Sequence, residues 1–153
     1  MSMVVLLDAG PLGMITNPKS SSENEAFKNG LARISREGAQ VVIPEIADYE
    51  VRRELLRAGK PNGLGRLDAL KNILDYAPIT TTVMLKVAEY WAMARNMGRQ
   101  SASDASLDAD MILSGLTWAL ARNGGEIMIA TTNVRHLELF TPARIWQEVQ
   151  FNS

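Results

Sequence analysis

The chain alternates short apolar runs with longer stretches in which apolar residues recur every three or four positions. Residues 3–8 (MVVLLD) form a Val- and Leu-rich run that ends in an acid and is followed by Gly10-Pro11, the pattern of a buried strand. A loop over 17–22 (NPKSSS) leads into Ser22-x-x-Glu25, a capping-box signature. Ala26, Phe27, Leu31 and Ile34 then repeat at helical spacing until Gly38. Residues 40–43 (QVVI) read as a second strand, and Pro44 opens a helix carrying Ile46, Val51, Leu55 and Leu56. The glycine-bounded stretch 59–65 breaks that helix, and a further amphipathic segment covers 67–76. Helical spacing returns over 82–97, where Val83, Val87, Tyr90 and Trp91 share one side, and residues 98–106 are polar and loop-like. Residues 107–122 predict a helix stopped by Asn123-Gly124-Gly125. A third strand follows over 126–131 (EIMIAT), then a loop with some helical character over 132–141, and an edge strand over 143–146.

Strands separated by helices, without an internal repeat, low-complexity tract or interdomain linker, predict one α/β domain over residues 1–153. Its central sheet is expected to be mostly parallel, with helices on both faces.

Composition narrows the chemistry. No apolar run approaches the ~20 residues that span a bilayer, and the N-terminus lacks the pattern of a signal peptide. Cysteine is absent, which excludes disulfides and zinc-thiolate sites, so the expectation is a cytoplasmic protein with no membrane partner. The net charge of −1 lacks the basic surplus of a stable nucleic-acid-binding scaffold. It leaves a metal-dependent nuclease open, because bound cations invert the field of an acidic pocket and draw phosphate in.

In an open parallel sheet, ligands collect at the carboxyl ends of the strands. Asp8 ends the first strand, and Glu50 lies about two turns into the helix after the second. Asp108 and Asp110 start the helix before the third strand, and Asn133 lies just beyond that strand. Converging carboxylates can hold a hard divalent cation that keeps several waters, and such an ion activates water and polarises a phosphodiester. Each residue also has a reading without chemistry. Asp8 can cap a turn, and Asp108 and Asp110 suit a helix N-terminus. Glu50 can belong to a solvated face beside Arg52, Arg53 and Arg57, while Glu54 one turn on would repel it unless a cation intervenes. The single histidine, His136, cannot build a zinc triad and reads as a loop residue.

Four blocks in this order resemble the PIN-domain family, which includes toxin nucleases of the VapC type. VVLLDAG resembles its opening strand, with the metal-binding Asp at Asp8. VVIPEIADYEVRREL resembles the second block, with the characteristic Glu at Glu50. DADMILSGLTWAL is similar to the third, with Asp110 at the Asp position, and IMIATTNVRHLELF resembles the fourth, where Asn133 stands at a position often held by an acid. The resemblance runs nearly end to end and implies a Rossmann-like three-layer sandwich. It further implies a Mg2+- or Mn2+-dependent endoribonuclease that cuts single-stranded RNA.

On this reading Asp8, Glu50 and Asp110 hold the ion, with carboxyl groups roughly 4–7 Å apart. Asp108 is an extra ligand or water orienter, and Asn133 orients a water or a phosphate oxygen. Arg52, Arg53 and Lys60 are candidates for contact with RNA phosphates or else solvated surface charges. The resemblance also implies a cognate antitoxin as one partner and leaves room for a homodimer. The alternative is a PIN-like module that has lost catalysis and docks RNA or protein. A phosphatase of the haloacid-dehalogenase type would want a second Asp where Gly10 stands, and a receiver would want a lysine that EIMIATTN lacks.

Overall fold

The computed structural model describes residues 3–98 and 103–145, and of Arg135, His136, Arg144 and Ile145 the backbone alone. Five strands form one sheet: β1 (Met3–Leu7), β2 (Gln40–Pro44), β3 (Asp75–Ala77), β4 (Glu126–Thr131) and β5 (Ala143–Ile145). Their spatial order is β3-β2-β1-β4-β5 and every pairing is parallel. β1 is central, with Leu6 opposite Val42 on one side and Leu7 opposite Ala130 on the other.

The helices are α1 (Ala9–Thr16), α2 (Ser22–Arg36), α3 (Glu45–Arg57), α4 (Pro61–Lys71), α5 (Thr81–Asn96) and α6 (Asp104–Ala121). A 3-10 turn covers Arg135–Leu139. Alternation along β1 sorts them into two layers. Val5 and Leu7 face a core shared with Leu12, Phe27, Leu31, Val51 and Leu67 of α1 to α4. Leu6 faces the opposite core, with Val83 and Val87 of α5 and Leu107, Met111 and Leu113 of α6. The result is the expected three-layer sandwich. Among the described residues no helix is long and apolar enough to cross a membrane.

Several local expectations need correction. The pattern along the chain assigned no element to residues 9–16, which form α1, entered with only Asp8 between strand and helix. Pro11 is tolerated because it lies in the first turn, where a backbone donor has no intrahelical partner. The cap of α2 is Ser21, whose hydroxyl accepts from the Asn24 amide at 3.0 Å, and Ser22 is the first helical residue. The break after α3 is confined to residues 58–60, because Pro61 already starts α4. The end of the segment expected to be helical is β3, paired with Val42–Pro44. In addition, α6 begins at Asp104, capped by Ser103, so the expected loop is shorter. The edge strand is Ala143–Ile145; Trp146 lies outside the described residues.

Candidate active site at the carboxyl ends of the central strands

Strand order departs from β1 in opposite directions, toward β2 and β3 on one side and toward β4 and β5 on the other. That reversal makes the crevice at the ends of β1 and β4 the place where an open parallel sheet binds ligands. Asp8 stands there, half-buried, and its amide extends the ladder by donating to the Ala130 carbonyl at 3.0 Å. Its Oδ1 accepts from the Ala9 amide at 2.8 Å and its Oδ2 from the Thr131 hydroxyl at 2.7 Å.

Thr131, buried at the end of β4, ties the crevice together. Its Oγ1 accepts from the Asn133 amide at 3.1 Å and lies 3.0 Å from the Asn133 carbonyl oxygen. A hydroxyl has a single proton, and the shorter contact to an anionic oxygen is the stronger claim on it. Thr131 thus orients Asp8 and anchors Asn133 at once. Nothing in the sequence reading gave Thr131 a role, although its place in a strand-end Thr-x-Asn run was visible.

Glu50 lies on the second turn of α3. Its carboxyl group titrates above the ordinary range, chiefly because burial disfavours the anion and next because of the Asp8 charge. Arg53, whose Nη2 is 3.8 Å from Glu50 Oε2, opposes the shift. Asp8 and Glu50 are therefore within one another's field. The expected repulsion between Glu50 and Glu54 is screened, since Arg57 bonds Glu54 at 2.9 Å while Arg53 serves Glu50.

Helical phase separates the two aspartates of α6. Asp108 and Asp110 are two residues apart on a continuous helix, about 200° around its axis, so they cannot face one site together. Asp108 is exposed, whereas Asp110 is half-buried with its Oδ2 shut off from solvent. Asp104, expected in a loop, is the first residue of α6 and pairs with Arg95 of α5. Among the described residues no three Asp, Glu or His side chains converge into one metal-holding group. The Asp8 charge acts on Glu50 across the crevice. The side chain of His136 lies outside the described residues.

The three cations considered for phosphate contact or as solvated surface charges differ in their surroundings. Arg52 is held by two carboxylates, Asp48 at 3.0 Å and Asp68 at 2.8 Å, and Asp48 also pairs with Lys71 at 3.4 Å. This network joins α3 to α4. Arg53 lies over the Tyr49 ring, 5.0 Å from its centroid. Lys60 lines a groove of about 740 Å3 that opens beside Glu50, with Ala9, Gly13, Val51, Leu55 and Lys19 among its other walls.

No protein-family model matches this chain, and no curated protein is similar to it in sequence. Its backbone is similar to solved structures. One is VapBC2 from Rickettsia felis bound to a DNA fragment from their promoter, with TM-score 0.71 and 14% identity over 93% of this chain and 98% of that one. DNA-bound VapBC from Salmonella typhimurium matches with TM-score 0.62 and 14% identity over 94% and 98%. VapBC-1 from nontypeable Haemophilus influenzae matches with TM-score 0.62 and 15% identity over 95% and 100%. At such identities the likeness establishes the fold, which is PIN-like.

Proposed function

We propose that this chain is a Mg2+- or Mn2+-dependent ribonuclease that cleaves single-stranded RNA, and the toxin of a toxin–antitoxin pair. The observation that carries the reading is the place of Asp8 at the strand-order reversal, next to the groove that Ala9 and Glu50 line together. Two anions held together in a partly buried crevice disfavour each other, and a cation relieves that cost. The donor set fits a hard ion: each Asp8 oxygen carries one hydrogen bond and keeps acceptor capacity. Two carboxylates suffice for Mg2+, which retains several of its waters. When bound, the ion supplies a Lewis acid that lowers the pKa of water and neutralises charge on the phosphate.

The chain's own residues do the rest. Ala9 and Thr131 fix the orientation of Asp8, so its free lone pairs are presented in a single direction. Glu50 completes the pair and can take a proton at neutral pH more readily than an ordinary glutamate. Asn133, anchored by Thr131, offers an amide to orient a water or a phosphate oxygen. Asp110 takes part through water rather than as a third direct ligand, in keeping with the lack of a closed group of three acids among the described residues. The partner is an antitoxin, by likeness to the VapBC complexes, and the apolar-walled groove beside Glu50 is the surface we assign to it.

Asp8→Asn keeps the side chain's size and removes one charge. Cleavage of single-stranded RNA by wild type should require Mg2+ or Mn2+, stop with chelator, and fall at least about a hundredfold in the variant, since mispositioning alone costs that much. Cleavage that survives chelator, or an Asp8→Asn protein as active as wild type, rules the mechanism out. Wild type that binds RNA and never cuts it favours the docking module.

A further inference from the structure

Among the described residues several hydroxyl groups are buried, and all but one of these return their proton to a neighbour. Thr16 donates to the Leu12 carbonyl at 3.0 Å, Thr117 to the Leu113 carbonyl at 2.9 Å and Thr141 to the Leu137 carbonyl at 3.0 Å. Thr131 donates to Asp8. Ser114 differs: it is 0% exposed, and its Oγ has no hydrogen-bond partner. The usual resource of a helical serine, the carbonyl four residues back, is used by Thr117 one turn further along the same helix but not by Ser114.

Its surroundings give it no other excuse. Residues 113–117 of α6 are all buried between the sheet and α5. An unmade hydrogen bond there costs the desolvation of the hydroxyl, and alanine would fill the position with better helix propensity. Ser114 lies four residues after Asp110, on the same stripe of α6. Helical side chains lean toward the N-terminus, which directs the Ser114 hydroxyl over the turn that carries Asp110. The Asp110 Oδ2 is likewise shut off from solvent.

We infer that Ser114 is a positioning residue for Asp110: its hydroxyl, through one enclosed water, holds the Asp110 carboxylate in the orientation that faces the crevice. The inference rests on the reading of the site given above, but the interaction it concerns needs neither metal nor RNA. Ser114 is then retained at a cost to the fold because a hydrogen-bonding partner behind a site carboxylate is worth about 10-fold or more in metal affinity or activity.

The test compares Ser114→Ala and Ser114→Thr with wild type. In the metal-free protein at neutral pH, the Asp110 side-chain carboxyl 13C resonance should move in Ser114→Ala and return toward its wild-type position in Ser114→Thr. The Asp108 resonance should stay in place as an internal control. The urea midpoint of metal-free Ser114→Ala should equal or exceed that of wild type. Mn2+ affinity and RNA cleavage should each fall about 10-fold in Ser114→Ala, with partial recovery in Ser114→Thr. An unmoved Asp110 resonance in a folded Ser114→Ala protein overturns the inference. A moved resonance in a chain whose wild type never cuts RNA leaves the positioning role standing and refutes the nuclease reading alone.

Discussion

Replacing Gly10 and Gly13 by alanine, one at a time, asks how tightly the first helix is pressed against the end of β4. Both glycines lie in α1 and neither has a positive φ, so alanine gains helix propensity at each, up to about 0.5–1 kcal/mol. At Gly13 a Cβ meets nothing within 4 Å. At Gly10 it falls 2.6 Å from Thr132 Oγ1 and 2.7 Å from Thr132 Cγ2, with Thr132 Cβ at 3.2 Å. Rotation about χ1 does not clear the space. The new carbon sits between two heavy substituents, and turning the side chain replaces only one of them by hydrogen. Overpacking of this kind costs about 1–3 kcal/mol, which outweighs the propensity gain.

Gly13→Ala should therefore raise the stability read from urea unfolding by about 0.5–1 kcal/mol, while Gly10→Ala lowers it by about 0.5–2 kcal/mol, both at unchanged m. Displacement of Thr132 also pulls on Thr131 and Asn133, so RNA cleavage should fall in Gly10→Ala at protein concentrations where it remains folded. Equal gains in the two variants would refute the close approach of α1 to the strand end.

Glu50→Gln tests the carboxylate pair. Burial and the Asp8 charge raise the folded-state pKa of Glu50 above the ordinary 4.5, so the folded chain holds that proton more tightly than the unfolded chain does. The resulting stability is fully present below about 4.5 and is lost as pH rises through the raised value. Metal-free Glu50→Gln should thus unfold at higher urea than wild type at neutral pH, with the advantage vanishing toward pH 4, and wild type should gain more from added Mn2+ than the variant. No difference in midpoint across that range would remove Glu50 from the field of Asp8. Asp48→Asn and Asp68→Asn separate burial from charge in the α3–α4 network. Asp48 is 6% exposed and pairs with two cations, so its loss should cost about 1–3 kcal/mol in a urea titration. The Asp68 side chain is 63% exposed, so its loss should cost less than about 1 kcal/mol. Equal costs would refute the ranking by burial.

Local pattern was enough for β1, β2 and β4, because apolar β-branched runs bounded by turn residues leave little alternative in a sheet buried on both faces. It also put Asp8 at the end of β1, while Glu50 and Asp110 were singled out by the resemblance to the PIN-domain family. It could not place element boundaries where neighbouring residues are chemically equivalent: in Ser20-Ser21-Ser22 any serine can cap, and the phase at which Phe27, Leu31 and Ile34 reach the core selects Ser21. Nor could it reveal β3, whose three residues are too few to show alternation and become a strand only by pairing with Val42–Pro44. Gly10-Pro11 hides the start of α1, and the close approach of Thr132 shows why a glycine stands inside a helix there. Asp108 stayed beside Asp110 in the sequence reading; a continuous helix through both puts them on different faces. The crevice itself depends on a hydrogen bond between Asp8 and Thr131, residues 123 positions apart. Periodicity reports on neighbours within one or two turns, whereas that contact exists only because parallel pairing of β1 with β4 brings two strand ends side by side.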